Sequence, residues 1–302
     1  MMIIGGGAAG LTAALYLGRA RRRVLVMDAG SPRNAPAAHM HGFLSRDGMA
    51  PGSFLAEGRR ELRGYGVEIG EGRVDGVGRT GEDRFEVRLA EHPAVTARAV
   101  LVATGLRDEL PDIAGLRERW GRDVVHCPYC HGWEVRDSPI AVLGGDNRPF
   151  SLHQAALIRQ WSSDVVFFPD RIELDQGERE RLAARGVRVV EGKVARVVVD
   201  EDRLRGVELA DGRTIERSAV FVGPRFVPLD GLLRDLGCAV GENGWVVTDP
   251  SGRTSVDGVW AAGNVVDESA QAIRAAGAGA TAGIALNHHL LARDIEHAVA
   301  TR

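Results

Sequence analysis

The chain has 302 residues, more than the roughly 100 to 200 residues of a typical domain, which predicts two compact domains. A composition of 44% hydrophobic and 26% charged residues is that of a globular protein and excludes a disordered or collagen-like chain. The net charge of -3 argues against nucleic-acid binding, which a basic surface favours. Three cysteines are too few for a secreted disulfide scaffold, and no targeting signal or membrane-length apolar run is present, so we expect a cytoplasmic protein.

The first 28 residues have the pattern of a β-α-β unit. Residues 1–4 form a short apolar strand, residues 8–20 a helix, and residues 24–27 a second strand. The turn between them matches G-x-G-x-x-G and is followed by an acid about 20 residues on, as in dinucleotide-binding proteins. The glycines let the backbone approach a pyrophosphate, and the acid accepts hydrogen bonds from a ribose. The predicted contacts are Gly5, Gly7, Ala8, Ala9, Gly10 and Asp28, and a glycine-rich turn without ligand is the alternative.

Later segments predict a second unit inserted into the first. Residues 67–89 alternate like antiparallel strands, and the stretch 110–115 has the Pro and Gly content of a linker. From Ile140 the β-α-β layout repeats, and the residues after 240 are too few for a third core. We predict an α/β fold of two Rossmann-like three-layer domains, the first formed by 1–112 and 240–302 and the second, inserted, by 113–239.

The segment from His126 to His131 carries two cysteines separated by two residues, Cys127 and Cys130. Such cysteines can form a disulfide, and the flanking histidines can supply charge that raises thiolate reactivity. We favour redox use. Half a zinc site and a pair of buried structural thiols are the alternatives, but zinc normally needs four ligands and no second C-x-x-C exists, so we predict no metal site.

Near the end of the chain, the apolar strand 258–262 runs into a Gly-Asn turn and then into a helix of small residues. Such a strand end can hold the ribityl chain of a flavin, and the helix dipole can stabilise its reduced, anionic ring. Ordinary strand-turn-helix packing is the alternative. The predicted contacts are Gly263, Asn264, Gln271 and Ala272.

Taken in this order, the glycine turn, the strand end at 103–105, the C-x-x-C motif and the Gly-Asn turn resemble the low-molecular-weight thioredoxin reductases over nearly the whole chain. The resemblance implies a homodimer with an FAD domain and an inserted pyridine-nucleotide-type domain that carries the redox disulfide. It also implies that Cys130 is the cysteine nearer the flavin. Further FAD contacts that we predict are His41, Gly42, Asp47, Val74, Ala103, Thr104 and Gly105; for the segment 39–47, a loop whose glycines serve turns is the alternative. Arg33, just beyond Asp28, can pair with the adenosine part of FAD, and a solvated arginine is the alternative.

The turn of the inserted domain departs from this family. It reads Gly144-Gly145-Asp146-Asn147-Arg148-Pro149, in which only the first glycine of the nucleotide fingerprint is in place. Asp146 adds a negative charge where a pyrophosphate would approach, and Pro149 lacks an N–H donor. The next strand ends without the paired arginines that hold a 2′-phosphate. These changes put the use of NADPH in doubt.

The residue after the second cysteine also differs, because His131 stands where thioredoxin reductases have an aspartate. A histidine titrates near neutrality and can take protons from substrate thiols, with His126 in reserve; a surface histidine is the alternative. The string C-P-Y-C-H-G-W-E and the segment 39–44 resemble the branch that contains the gliotoxin and holomycin dithiol oxidases.

This resemblance implies an FAD-dependent dithiol oxidase. A small-molecule dithiol would be closed to an intramolecular disulfide, with O2 reduced to H2O2 and catalysis by Cys127, Cys130, His131 and His126. One alternative is an NAD(P)H- or ferredoxin-linked reductase of thioredoxin or another disulfide. The other is a flavoprotein redox sensor without turnover.

Overall fold

The computed structural model describes residues 1–302, which divide into two compact units. The first unit comprises residues 1–35, 43–107 and 227–302, and the second comprises residues 36–42 and 108–226. The second unit is therefore inserted into the first in the order of the chain. Two further strands, Leu106–Glu109 and Arg225–Pro228, form a two-stranded sheet.

The first unit is built on a five-stranded parallel sheet. Its central strand, Met2–Ile4, pairs with Val100–Val102 on one side and Leu25–Asp28 on the other. Because successive side chains of a strand point to opposite faces, Ile3 is buried against the helices and Ile4 against an antiparallel sheet. The strands are Met2–Ile4, Leu25–Asp28, Glu68–Glu71, Val74–Gly81, Arg84–Leu89, Val95–Ala97, Val100–Val102 and Val259–Ala261, and the helices are Ala8–Arg19, Pro51–Arg63, Gly231–Asp235 and Ala272–Ala300, with a 3-10 turn at Gly263–Val265.

The second unit repeats these three layers. The central strand Ile140–Leu143 pairs in parallel with Val165–Phe168 and Ala219–Val222, all fully apolar and buried. An antiparallel sheet covers one face and helices cover the other. The strands are Val124–Val125, Ile140–Leu143, Val165–Phe168, Val187–Val189, Val194–Asp200, Arg203–Leu209, Thr214–Glu216 and Ala219–Val222, and the helices are Leu116–Arg119, Pro128–His131, Arg148–Ile158 and Gln176–Ala184.

The predicted fold class, α/β with two Rossmann-like three-layer domains, is confirmed by these two sheets. The unit boundaries differ from the predicted ones in detail. Residues 227–239, assigned to the inserted domain from the sequence, belong to the first unit, because Leu233 and Cys238 are buried in its core. Residues 36–42, assigned to the first domain, group with the second unit. None of the helices has both the length and the apolar character needed to cross a bilayer.

Candidate active site

The glycine turn after the first strand is tightly packed at two positions and open at a third. Gly5 has a φ of +109°, and a Cβ there would lie 2.3 Å from the carbonyl oxygen of Ala103. A Cβ on Gly10 would lie 1.9 Å from the carbonyl oxygen of Gly5. At Gly7, a Cβ would have no neighbour within 4 Å. The fold itself therefore requires glycine at positions 5 and 10, whereas the space beside Gly7 lets a ligand approach the backbone.

The helix Ala8–Arg19 begins at this turn with a free N-terminus for an anion. Gly7 is its N-cap residue, no side chain caps the first turn, and no acidic residue lies in that turn. Uncapped amides and the positive end of the helix dipole together attract a phosphate group. Ala9 is buried, so a ligand would meet the backbone of this turn rather than its side chains.

Asp28 lies beside the glycine turn at the end of its strand. A Cβ on Gly6 would lie 2.5 Å from Oδ2 of Asp28, which shows how close the carboxylate is to the turn. The carboxylate accepts a hydrogen bond from the guanidinium of Arg59, and its Oδ1 accepts one from the Gly30 N–H at 3.3 Å. Asp28 thus stands where ribose recognition requires an acid, and Arg59 orients it.

The C-terminal turn packs directly on the first helix. Gly263 has a φ of +79°, and a Cβ there would lie 2.9 Å from the Cβ of Ala9. The Asn264 side-chain amide donates to the carbonyl oxygens of Asp267, at 2.8 Å, and Ala270, at 3.0 Å. An aspartate at this position would have no side-chain N–H to donate. Asn264 therefore holds the loop that leads into the last helix.

The strand end at 103–105 is the third predicted flavin segment, and it lies close to the glycine turn, as the Gly-Asn turn does. The Thr104 hydroxyl donates to the carbonyl oxygen of Leu229 at 2.7 Å, and the Leu229 N–H donates to the carbonyl oxygen of Gly105 at 2.9 Å. These segments follow the carboxyl ends of parallel strands, where α/β sheets bind their ligands. The open glycine, the uncapped helix and the adjacent acid fit the pyrophosphate and ribose of FAD.

The other predicted FAD contacts lie in different settings. Val74 is buried in the core of the first unit, Arg33 is half-buried, and Asp47 is exposed. Gln271 and Ala272 stand at the start of the last helix. His41 and Gly42 belong to the second unit. Their contacts with FAD stay predictions.

The two cysteines of the C-x-x-C motif form a disulfide in the second unit, with their Cα atoms 5.3 Å apart. Cys127 precedes the short helix Pro128–His131, and Cys130 lies within it. Pro128 suits the first helical position, where no N–H is needed. The N–H groups of Cys130 and His131 donate to the carbonyl oxygen of Cys127 at 3.2 and 3.1 Å, which holds the two sulfur-bearing residues in one turn.

His126 is packed among aromatic rings. Its ring stacks on Trp120, with centroids 5.6 Å apart, and meets the edge of Phe226 at 5.8 Å. Its carbonyl oxygen accepts a hydrogen bond of 2.7 Å from the side-chain amide of Gln154, which is buried in the helix Arg148–Ile158. This hydrogen bond fixes the peptide immediately before Cys127.

His131 is half-buried beside the disulfide. Burial lowers its pKa below the ordinary value of 6.5; the Glu134 carboxylate raises the pKa, and His41 lowers it further. His131 is therefore neutral at pH 7 and able to accept a proton. His41 lies with its Nε2 3.4 Å from Oε1 of Glu134.

Two aromatic side chains next to the disulfide are exposed to solvent. Tyr129 is 66% exposed and Trp133 is 65% exposed. Tyr129 meets Trp161 edge-on, with centroids 5.7 Å apart, and the Arg136 guanidinium lies 4.2 Å from the Trp133 ring centroid. Exposed apolar surface of this kind is typical of binding sites.

At the turn 144–149 of the second unit, which departs from the nucleotide fingerprint, two backbone N–H groups donate to side chains of the turn and of the following helix. The Gly145 N–H donates to the Ser151 hydroxyl at 3.1 Å, and that hydroxyl donates to the carbonyl oxygen of Asn147. The Asn147 side chain accepts from the Phe150 N–H at 3.1 Å, and Pro149 has no N–H. A pocket of about 500 Å³ beside the turn is lined by two acids and two arginines, together with Gly145 and Ile172. A pyrophosphate there would meet the carboxylates of Asp146 and Glu173 as well as the two arginines, and it would find the Gly145 and Phe150 amides already engaged.

Four side chains were not predicted from the sequence: Arg59, Glu134, Ser151 and Gln154. Glu134 follows His131 by three residues, a spacing that could have identified it. Arg59 and Gln154 reach their partners from distant helices, so no local pattern reveals them.

Comparison with known proteins agrees with this arrangement. The family model of pyridine nucleotide-disulphide oxidoreductases matches residues 1–280. Thioredoxin reductase sirT of Leptosphaeria maculans is 30% identical over 97% of this chain and 95% of its own. Thioredoxin reductase tcpT of Claviceps purpurea is 34% identical over 87% of this chain and 85% of its own. The crystal structure of HlmI is 58% identical over 99% of this chain and 95% of its own, with a TM-score of 0.96.

The two Rossmann-like units, the glycine turn that fits FAD and the C-x-x-C disulfide account for these matches. The chain therefore belongs to the pyridine nucleotide-disulphide oxidoreductase family and is a thioredoxin reductase-like flavoenzyme.

Proposed function

We propose that this protein is an FAD-dependent dithiol oxidase that closes an intramolecular disulfide in a small molecule and reduces O2 to H2O2. The observation that carries the proposal is a contrast between two features of the second unit. The Cys127–Cys130 disulfide is followed directly by the half-buried His131, whereas the Gly145 and Phe150 amides at the nucleotide turn of the same unit are engaged in internal hydrogen bonds. Electrons would then enter from a dithiol rather than from NADPH.

The chemistry begins with a substrate thiolate that attacks Sγ of Cys127. The Cys127–Cys130 bond breaks, and Cys130 leaves as a thiolate, so that a mixed disulfide joins the substrate to Cys127. His131, neutral at pH 7, accepts the proton of the second substrate thiol. That thiolate attacks the substrate sulfur of the mixed disulfide and releases Cys127 together with the cyclised product. Two electrons and two protons have then left the substrate.

When bound, FAD supplies a two-electron acceptor for the reduced cysteine pair and a two-electron donor to O2. The residues that would hold its pyrophosphate and ribose are those of the glycine turn and Asp28. The amides at Gly7 and Ala8 would bind the phosphates, and Asp28, oriented by Arg59, would accept from the ribose.

The exposed aromatic side chains support a small apolar substrate. Tyr129 and Trp133 lie within three residues of Cys130 and present most of their ring surface to solvent. A ring of an apolar dithiol can stack on such surface while its sulfur atoms reach Cys127. The resemblance to the gliotoxin and holomycin dithiol oxidases supports the same substrate class. We propose from the same resemblance that the protein is a homodimer in the cytoplasm.

A second candidate is a disulfide reductase that runs in the opposite direction. It is favoured by the names of sirT and tcpT, both called thioredoxin reductases. The same cysteines serve either direction, so the electron donor distinguishes the two functions.

Aerobic turnover tests the proposal. With dithiothreitol as a model dithiol, we expect one O2 consumed and one H2O2 formed for each dithiol oxidised, and catalase should return half of the O2. With NADPH and oxidised thioredoxin, the rate should be lower by at least about a hundredfold, because the nucleotide turn binds NADPH poorly. Faster turnover with NADPH than with the dithiol would make the protein a reductase.

A further inference from the structure

The side chain of Gln154 is enclosed in the second unit, and one of its two polar atoms lacks a partner. The residue is 1% exposed and lies on the buried face of the helix Arg148–Ile158. Its Nε2 donates to the carbonyl oxygen of His126 at 2.7 Å, whereas its Oε1, equally buried, has no hydrogen-bond partner. Because an unpaired buried polar atom is unfavourable, this amide adds little net stability to the core.

The hydrogen bond of Gln154 ends on the peptide that precedes the disulfide. The carbonyl of His126 and the nitrogen of Cys127 belong to the same planar peptide group, so fixing the oxygen also fixes the amide side of Cys127. The bond joins residues that are 28 positions apart in the chain. A separate helix therefore holds the disulfide segment at the point where the chain enters Cys127.

The carbonyl side of Cys127 is held by the disulfide turn itself. Its carbonyl oxygen accepts from the N–H groups of Cys130 and His131 at 3.2 and 3.1 Å. On the amide side, the ring of His126 is packed between aromatic side chains, but ring packing does not fix the plane of the following peptide. The hydrogen bond from Gln154 opposes rotation of that plane and the movement of Cys127 that accompanies it.

We propose that Gln154 is a positioning residue that holds Cys127 where its sulfur can close the bond to Cys130. In the reduced pair, a disulfide forms more readily when the two sulfur atoms are kept close together. A fixed Cys127 therefore favours the disulfide and makes the pair harder to reduce. The proposal rests on the proposed function, in which this pair accepts the electrons of a dithiol.

The test is the redox equilibrium of the holoenzyme with dithiothreitol, measured without O2 and without turnover. One dithiothreitol gives two electrons and two protons to the Cys127–Cys130 disulfide, which opens to two thiols while dithiothreitol closes to its cyclic disulfide. The protein is equilibrated with mixtures of reduced and oxidised dithiothreitol, quenched with acid and alkylated. The alkylated fraction of the tryptic peptide 123–136, which contains both cysteines, gives the equilibrium constant.

In Gln154→Met, a side chain of similar length without an N–H donor, we expect the pair to be about three to ten times easier to reduce. This change corresponds to a potential about 14 to 30 mV less negative. The midpoint of unfolding in urea should change little, because the loss of one hydrogen bond is offset by removal of the unpaired Oε1.

A second variant, Gln154→Glu, separates positioning from packing. A carboxyl group can donate to the His126 carbonyl only when it is protonated. The equilibrium constant of this variant should therefore match wild type at acid pH and approach that of Gln154→Met as the pH rises. A side chain that only fills space would give a difference from wild type that does not depend on pH.

Two controls accompany these variants. Gln160→Met makes the same substitution at an exposed glutamine just after the helix and should leave the equilibrium constant unchanged. Ser151→Ala removes a buried hydrogen bond from the same helix, so it should lower stability without shifting the equilibrium constant.

The outcomes distinguish this proposal from the proposed function. A wild-type pair that dithiothreitol does not reduce at any ratio would contradict the proposed function. If the wild-type pair is reduced, an unshifted equilibrium in Gln154→Met, or an equal shift in either control, would overturn the positioning role of Gln154. Should Gln154→Met fail to fold, a difference between Gln154→Glu and wild type that is the same at every pH would overturn it.

Discussion

Replacing Cys130 with serine is expected to abolish turnover with dithiols while the protein remains yellow with bound FAD. In this variant Cys127 is a free thiol, so a substrate thiolate has no S–S bond to attack and the electron pair of the dithiol has no disulfide to enter. The same loss is expected for Cys127→Ser, because the remaining Cys130 cannot form the disulfide alone. In each case kcat should fall by more than about a thousandfold, as when a nucleophile is removed from other enzymes.

The matched control is Cys238→Ala, which removes the third cysteine. Cys238 is buried in the core of the first unit, where its thiol donates to the Thr254 hydroxyl at 3.5 Å. Burial raises the pKa of this thiol, so it stays protonated and unreactive. We expect unchanged turnover for this variant. Turnover within tenfold of wild type in Cys130→Ser would remove the disulfide from the mechanism.

Substitutions in the glycine turn are expected to separate FAD binding from folding. In Gly7→Ala the added Cβ meets open space and the φ of -82° suits alanine, so the fold should lose less than about 1 kcal/mol. The same Cβ enters the space where the pyrophosphate would approach, and FAD affinity should fall by about tenfold or more. In Gly10→Ala the Cβ would lie 1.9 Å from a backbone oxygen, so the fold itself should lose at least about 1 to 3 kcal/mol.

The measurements are FAD content from the absorbance at 450 nm and unfolding in urea with and without added FAD. Gly78→Ala is the control, because a Cβ there also has no neighbour within 4 Å but lies on an antiparallel strand away from the turn. Wild-type FAD affinity in Gly7→Ala would contradict the placement of the pyrophosphate at this turn.

The fold was predictable from the sequence because its signals are local. An apolar strand followed by a glycine turn occurs twice in the sequence, at Ile3 and at Ile140. Each of these two strands is the central strand of a parallel sheet. The C-x-x-C disulfide is equally local, since both cysteines lie in one turn. The boundary at 239 was less predictable, because Leu233 and Cys238 are assigned by burial against strands distant in sequence.

The parts of the candidate site that were missed depend on contacts across the fold. Arg59 reaches Asp28 from a separate helix, and Gln154 reaches the carbonyl oxygen of His126 from another. The nucleotide turn shows the same limit. Its unfavourable residues were visible in the sequence, but the occupation of the Gly145 amide by Ser151 follows only from the folded turn.

The central claim is that a dithiol, rather than NADPH, reduces this flavoenzyme. The most direct measurement is the anaerobic absorbance of the holoenzyme at 450 nm during addition of NADPH, then of dithiothreitol, and finally of air. We expect no bleaching by NADPH, full bleaching by the dithiol, and return of the yellow colour in air with one H2O2 formed for each dithiol oxidised. Rapid bleaching by NADPH would contradict the account, because it would show that the turn at 144–149 still binds and positions a nicotinamide nucleotide.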